Sequence, residues 1–317
     1  MTTPIHVPVL LEEVLELLPI PAGGRALDLT LGLGGHAEAM LAQAGADVRY
    51  LGVDRDPEAR VIALQRLGND ARLTVLASTH EDVWEQDSFL AWMDANAPEG
   101  FDVILADLGV SSLQLKKPDR GFSFREEGPL DMRMNPEDGL TALEWLQAQD
   151  EQSLAHVLWI YGEERASRAV ARAIIRDLGT MKTTTDLAAS IHTVLPRHYN
   201  KAGKLPTDPA TRSFQAIRIA VNGELVRLEE TLEKALKHLK PGGRLGVISF
   251  HSLEDRIVKQ TFRRLAGIYD GPGRFAPEVL PKSIRLIKPG GVAPSEAECR
   301  QNPPSRSARL RVAERIA

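Results

Sequence analysis

The chain has 317 residues, 43% of them hydrophobic and 26% charged, with a formal net charge of −4. That make-up is globular, with core enough for one large domain or two modest ones, and no apolar run approaches the length of a membrane span. A single cysteine, Cys299, excludes an internal disulfide and a cysteine-based zinc site. With no signal-peptide pattern at the start, it points to a reducing cytoplasm. No metal-ligand set stands out.

In chain order, the pattern Val9, Leu10, Val14, Leu17, Leu18 predicts a short helix ending at Pro19. Next comes the stretch on which the reading turns, Ala26-Leu27-Asp28-Leu29-Thr30-Leu31-Gly32-Leu33-Gly34-Gly35-His36. It reads as a strand, a glycine-dense turn and a helix over 37–44. Glycines allow a sharp turn and let a ligand approach main-chain N–H groups. The helix start behind them adds unpaired donors and positive partial charge. A second strand, Tyr50-Leu51-Gly52-Val53, closes on Asp54, where an acid can accept from both hydroxyls of a ribose.

The pair therefore predicts a nucleoside-containing cofactor. Gly32, Gly34 and Ala37 satisfy the looser dinucleotide fingerprint. However, the carboxylate of Asp28 would repel a pyrophosphate, whereas it would attract the amine of S-adenosylmethionine.

The alternation continues with a helix over 57–67, Pro57 in its first turn, a strand over 72–76, and a helix over 81–96 whose apolar face is Val83, Trp84, Phe89, Leu90 and Met93. A fourth strand, Phe101 to Asp107, again ends in an acid. Strand–helix repetition of this kind builds a parallel sheet with helices on both faces. Ligands then bind at the carboxyl ends of strands, where Asp28, Asp54 and Asp107 all fall.

From about residue 114 to 209 no convincing strand is found. An Arg- and aromatic-rich loop (Arg120 to Met134) leads into helical stretches capped by Asp150, over 165–178, and over 185–195, followed by the basic loop Arg197 to Lys204. This reads as a helical insertion at 116–208, dividing a discontinuous core at 1–115 and 209–317. A long helical pattern then runs from Asp208-Pro209 to Leu239, with Asn222-Gly223 placed to break or bend it. Pro241-Gly242-Gly243 leads into a strand over 245–250, Ser252-Leu253-Glu254-Asp255 suggests a capping box, and two last strands are expected at 282–288 and 309–313. A closing hairpin of that kind is usual in methyltransferase sheets and absent from nucleotide-binding dehydrogenases. From residue 241 onward Lys and Arg number 14 against 7 acids, so this end is about +7 and the first 240 residues about −11, a local field suited to polyanions.

Taken together, the segments resemble the bacterial 16S rRNA cytosine-N4 methyltransferase family, RsmH, also called MraW. The resemblance is carried by His6 to Leu11, Asp28 to His36, Asp54 to Pro57, Asp107 to Gln114, Arg120 to Phe124, Pro129 to Met134, Tyr161 to Arg165, Phe214 to Ile219 and Phe250 to Arg256. It implies a class I S-adenosylmethionine-dependent methyltransferase, a Rossmann-like α/β fold with a seven-stranded sheet and an inserted helical substrate-recognition domain. It implies methylation of a cytidine N4 in the decoding region of 16S rRNA within the small ribosomal subunit, in the cytoplasm and without a membrane; a homodimer is compatible with it.

Cofactor positions carry over onto Gly34, Gly35, His36, Asp54, Asp107 and Gln114, beside Asp28 and Gly32 from the loop itself. His80 stands where the family usually has Phe. Asp208 and Pro304 also depart from the common residues, His and Arg.

A cytosine N4 lone pair is delocalised into the ring, so acceptors for its N–H groups are needed. Asp107 and the Leu108 carbonyl are placed for this, and His251 is the second catalytic candidate, able to bind phosphate or relay a proton. Phe250, Phe122 and Phe124 are candidates to stack on the unstacked base. Two other classes share parts of the pattern: a nicotinamide-dependent oxidoreductase with the same glycine loop, and a non-catalytic RNA-binding module.

Overall fold

Each strand of the sheet begins as an apolar run bounded by turn residues, and in the computed structural model, which describes residues 7–68, 70–197, 208–268 and 282–316, these runs pair into one seven-stranded sheet. The strands are β1 (Arg25–Asp28), β2 (Arg49–Asp54), β3 (Leu73–Ala77), β4 (Phe101–Asp107), β5 (Leu239–Ser249), β6 (Ile284–Val292) and β7 (Arg309–Arg315). Their order is β3-β2-β1-β4-β5-β7-β6. The first five pair in parallel, and β7 runs antiparallel to both β5 and β6. This is the class I methyltransferase topology. Parallel strands are covered on both faces, which is why they read as continuous apolar runs.

The helices are α1 (Leu11–Leu17), α2 (Gly35–Gln43), α3 (Pro57–Arg66), α4 (Asp87–Asn96), α5 (Ser112–Lys116), α6 (Ala142–Gln147), α7 (Glu151–Gly162), α8 (Ser167–Asp177), α9 (Thr184–Val194), α10 (Ala210–Asn222), α11 (Leu228–Lys237), α12 (Ser252–Leu265) and α13 (Glu296–Gln301). None is long and apolar enough to cross a membrane among the described residues.

The chain divides into two compact units, Met1–Gly109 with Arg227–Ala317, and Val110–Val226. The boundaries expected at 116 and 208 thus move to 110 and 226. The reason is α10: its Phe214, Ala216 and Ile217 belong to the buried cluster that also holds Leu154 and Leu158 of α7, Ile174 of α8 and Ile191 of α9. The side of α7 that meets α10 includes Gly162, where an added Cβ would lie 2.8 Å from the Arg212 carbonyl oxygen. In the sheet unit the largest fully buried side chains include Tyr50, Phe89, Phe101, Leu18 and Leu27. Leu18, after α1, fills the space above Gly246, whose Cβ would meet it at 2.4 Å.

The break expected at Asn222-Gly223 is present: the 209–239 pattern is two helices, α10 closing on the left-handed Gly223 (φ 64). Two other local expectations change. The 81–96 helix is a 3-10 turn (Val83–Glu85) followed by α4, because Gln86 is extended. The cap of α12 is His251, not Ser252: its ring nitrogen accepts the Glu254 N–H at 3.4 Å while the Glu254 carboxylate accepts the His251 N–H at 3.2 Å. The sequence reading passed over α5 and α6, although both carry capping boxes, Ser111 with Gln114 and Thr141 with Glu144. Residues 198–204 of the basic loop, and His6, lie outside the described residues.

Candidate active site

The glycine loop lies against β2. Leu31 donates its N–H to the Val53 carbonyl at 2.8 Å, and its side chain occupies the space a Cβ at Gly52 would need, 2.9 Å away. Gly52 is therefore part of the loop's seat. Gly32 (φ 54) and Gly34 (φ 75) take left-handed backbone, which glycine adopts without strain. Gly35 has another reason to lack a side chain: its Cβ would meet Pro8 at 2.6 Å. The segment before α1 is thus clamped on the start of α2, and His36 completes the clamp by donating Nε2–H to the Val9 carbonyl at 3.0 Å.

The acids at the strand ends are held by main-chain donors. Asp54 accepts from Gly32 N–H at 2.7 Å through one oxygen and from Asp56 N–H at 2.8 Å through the other. It thereby ties the glycine loop to the tip of β2. Asp28 accepts from Thr30 N–H at 3.0 Å and from the Tyr50 hydroxyl at 3.2 Å. Burial raises its pKa to about 7, opposed by those hydrogen bonds. Burial also raises Asp54.

Asp107, at the end of β4, donates its N–H to Thr30 Oγ1 at 2.6 Å. Its Oδ2 lies 3.7 Å from His36 Nδ1. Its Oδ1 is buried without a hydrogen-bond partner. Burial, and then the charges of Asp28 and Glu254, push its carboxyl well above the ordinary range. Because His36 Nε2 must carry the hydrogen that the Val9 carbonyl accepts, a neutral His36 turns a lone pair toward Asp107. That contact is favourable only when one of the two groups is protonated.

After β3, His80 is 8% exposed, with its Nδ1 buried and unpartnered. Burial lowers its pKa to about 4, so the ring is neutral at pH 7. After β5, His251 caps α12 through Nδ1. Its Nε2 lies 3.1 Å from Glu254 Oε1 without hydrogen-bond geometry. Gly109 (φ 88) turns the chain after β4 beside the half-buried ring of Phe250, 3.6 Å from where a Cβ would stand.

The sheet unit therefore holds Asp28, Gly32, Gly34, Gly35, His36, Asp54, His80, Asp107 and His251. Gln114 stands in the other unit, buried, its carboxamide oxygen accepting the Ser111 N–H at 2.9 Å. Phe122 and Phe124 also stand there, Phe122 within that unit's core and Phe124 packed on Phe214 at 4.5 Å between ring centroids. Their packing leaves Phe250 as the stacking candidate of the sheet unit. Sequence reasoning missed Thr30, Tyr50 and Glu254, which hold or polarise the acids. Only Glu254 carried a signal, its place in a capping box.

The sequence profile of the MraW methylase family matches residues 3–316. The chain belongs to that family. Among its relatives, the ribosomal RNA small subunit methyltransferase H of Stenotrophomonas maltophilia strain K279a is 46% identical over 318 residues, covering 98% of this chain and 93% of that protein. The enzyme of the same name from Xanthomonas euvesicatoria pv. vesicatoria strain 85-10 is 47% identical over 315 residues, covering 98% and 89%. A solved rRNA methylase from Streptococcus thermophilus aligns over 97% of this chain and 94% of that one, at 12% identity and a TM-score of 0.39.

A MraW methylase draws its methyl group from S-adenosylmethionine, and the residues present fit that donor. Beside burial, the charge of Asp54 raises Asp28, and those of Asp28 and Glu254 raise Asp107. Such a cluster favours a cationic ligand and opposes a pyrophosphate, which removes the physical basis for a nicotinamide dinucleotide here.

Proposed function

We propose that this chain transfers a methyl group from S-adenosylmethionine to the exocyclic N4 of a cytidine in the decoding region of 16S rRNA, working on the small ribosomal subunit in the cytoplasm. The observation that carries the chemistry is Asp107, whose buried Oδ1 lacks a partner at the end of β4. When bound, the donor supplies an electrophilic methyl group and leaves as S-adenosylhomocysteine.

The protein's residues do the rest. Asp54 holds the ribose hydroxyls while it anchors the glycine loop. Asp28 receives the methionine amine, His80 lies against the adenine side, and Gly32, Gly34, Gly35 and the first turn of α2 with His36 line the approach. The second unit, which holds Gln114, we assign to substrate recognition.

Asp107 accepts an N–H of the cytosine amine, which turns the nitrogen lone pair out of conjugation. As the new N–C bond forms, nitrogen gains positive charge. Asp107 stabilises that charge and takes the proton the amine must lose, passing it to solvent. Asp107 ionises most readily when positive charge enters the acid cluster, so its base form is coupled to donor binding. His251, fixed as the cap of α12, keeps Nε2 for the target nucleotide and is the second catalytic residue of this reading.

The test is Asp107→Asn. It keeps the shape and one acceptor oxygen but removes the charge. Single-turnover methyl transfer should fall on the order of a hundredfold or more, as for loss of one electrostatic stabiliser, with donor affinity little changed. Weaker donor binding with transfer restored at saturating donor would remove Asp107 from the chemistry.

A further inference from the structure

The second unit carries a groove of about 1000 Å³ between α7 and the start of α8, on a part of the chain the proposed chemistry does not use. Its floor on α7 includes Ala155 and Trp159, and its rim includes His156, Arg165, Ser167 and Arg168. Trp159 is 56% exposed and is the only exposed large hydrophobic residue of α7 and α8. Indole is costly to leave in water, and Ala155, Ala166 and Ala169 line the groove with it.

Cationic groups stand at the rim. Arg165 and Arg168 are exposed, and neither makes an ion pair among the described residues. The acid of the groove, Glu151, is already engaged by Arg172 at 3.1 Å, so the two arginines face outward uncompensated. The start of α8 is not part of this: the N–H groups of Ala166 and Ser167 are taken by the Glu164 carboxylate and carbonyl, at 2.8 and 3.2 Å. Ser167 is 6% exposed, and its hydroxyl makes no hydrogen bond among the described residues.

One flat ring beside two unpaired guanidinium groups is the chemistry of a nucleotide: a π-face for the base and donors for the phosphates on either side. The two unpaired cations at the rim favour a polyanion over an apolar protein surface. We propose that the α7–α8 groove binds single-stranded RNA, with Trp159 stacking one base and Arg165 and Arg168 holding the flanking phosphates. The proposal rests on the rRNA reading above and names a grip on the substrate strand within the second unit.

The test uses the full chain with Trp159→Ala, Trp159→Phe and the double variant Arg165→Gln, Arg168→Gln, all at exposed positions. The probe is a fluorescein-labelled single-stranded RNA decamer, titrated by anisotropy at several salt concentrations. Methylation of unmethylated small subunits and S-adenosylhomocysteine affinity are measured alongside.

Trp159→Ala should weaken RNA binding about tenfold or more, while Trp159→Phe, which keeps a stacking ring, restores most of it. The double variant should flatten the salt dependence by about 1.4 in log–log slope, the share of two phosphate contacts on a single strand. S-adenosylhomocysteine affinity should not move.

Unchanged RNA affinity and slope in all three variants would overturn the proposal. So would a loss of self-association in the ultracentrifuge with RNA affinity intact, since that would make the groove an interface between copies. If the wild-type chain binds the decamer but methylates no small-subunit RNA, the activity reading fails and the groove is still judged by the variants' RNA affinities.

Discussion

Asp28 sits 1% exposed at the end of β1 with two hydrogen bonds and no cation. Its folded-state pKa of about 7 lies above the ordinary carboxylate value. Between about pH 4 and 7 the unfolded chain has lost this proton while the folded chain keeps it, so the group takes away stability as pH rises, about 1.4 kcal/mol per pH unit. Below that window the penalty is absent, and above it the penalty is complete. Asp28→Asn should therefore be more stable than the parent by a margin that grows from pH 5 to pH 7 in urea melts; parallel curves would contradict the assignment. Since only the ionised form attracts an amine, S-adenosylhomocysteine should bind more tightly as pH rises toward and past about 7, and the variant should lose that trend. Asp54→Ala should weaken the same ligand by roughly 1.5–3 kcal/mol, the worth of hydrogen bonds to a charged acceptor, and an unchanged affinity by calorimetry would refute the ribose contact. These acids were legible because each ends an apolar run. Thr30 and Tyr50 were not, because their bonds to Asp107 and Asp28 cross between strands whose register the sequence does not state. Gly35 stood out as a loop glycine, yet its missing side chain makes room for Pro8.

At the scale of elements, periodicity located the strands well because parallel strands are apolar on both faces. β4 has the limits expected for it, Phe101–Asp107. Helix ends were harder to read. A 3.6-residue pattern spans α10 and α11, and a turn over 223–227 that opens on the left-handed Gly223 separates them. That break decides the domain boundary, since α10 packs with α7 and α11 belongs to the sheet unit. Gly162→Ala tests the packing directly. Its Cβ would stand 2.8 Å from the Arg212 carbonyl oxygen and 3.3 Å from the Ala216 Cβ, a backbone clash that flexible side chains cannot relieve. Overpacking of this kind costs about 1–3 kcal/mol, so thermal melting should fall by several degrees; an unchanged melt would mean that α7 and α10 do not meet there.

Over the whole molecule, the fold pairs part of the charge that the sequence shows. Arg311 pairs with Asp255 at 2.7 Å, Arg244 and Arg285 both reach Glu314, Arg264 reaches Glu229 and Glu233, and Arg315 donates to the carbonyls of Lys237 and Leu239. Of these acids, only Glu229 and Glu233 come from outside the basic end, so most of its +7 persists. The acids at the strand ends differ, since among the described residues no Lys or Arg forms an ion pair with the side chains of Asp28, Asp54 or Asp107. The central claim is that this cluster methylates a single exocyclic amine in one RNA. The direct measurement is mass mapping of small-subunit rRNA after incubation of unmethylated subunits with the enzyme and isotope-labelled S-adenosylmethionine. One labelled methyl group on N4 of one cytidine in the decoding region is the predicted result. A methyl group on a ring carbon, on a ribose oxygen or elsewhere in the RNA, or no transfer at all, would contradict it.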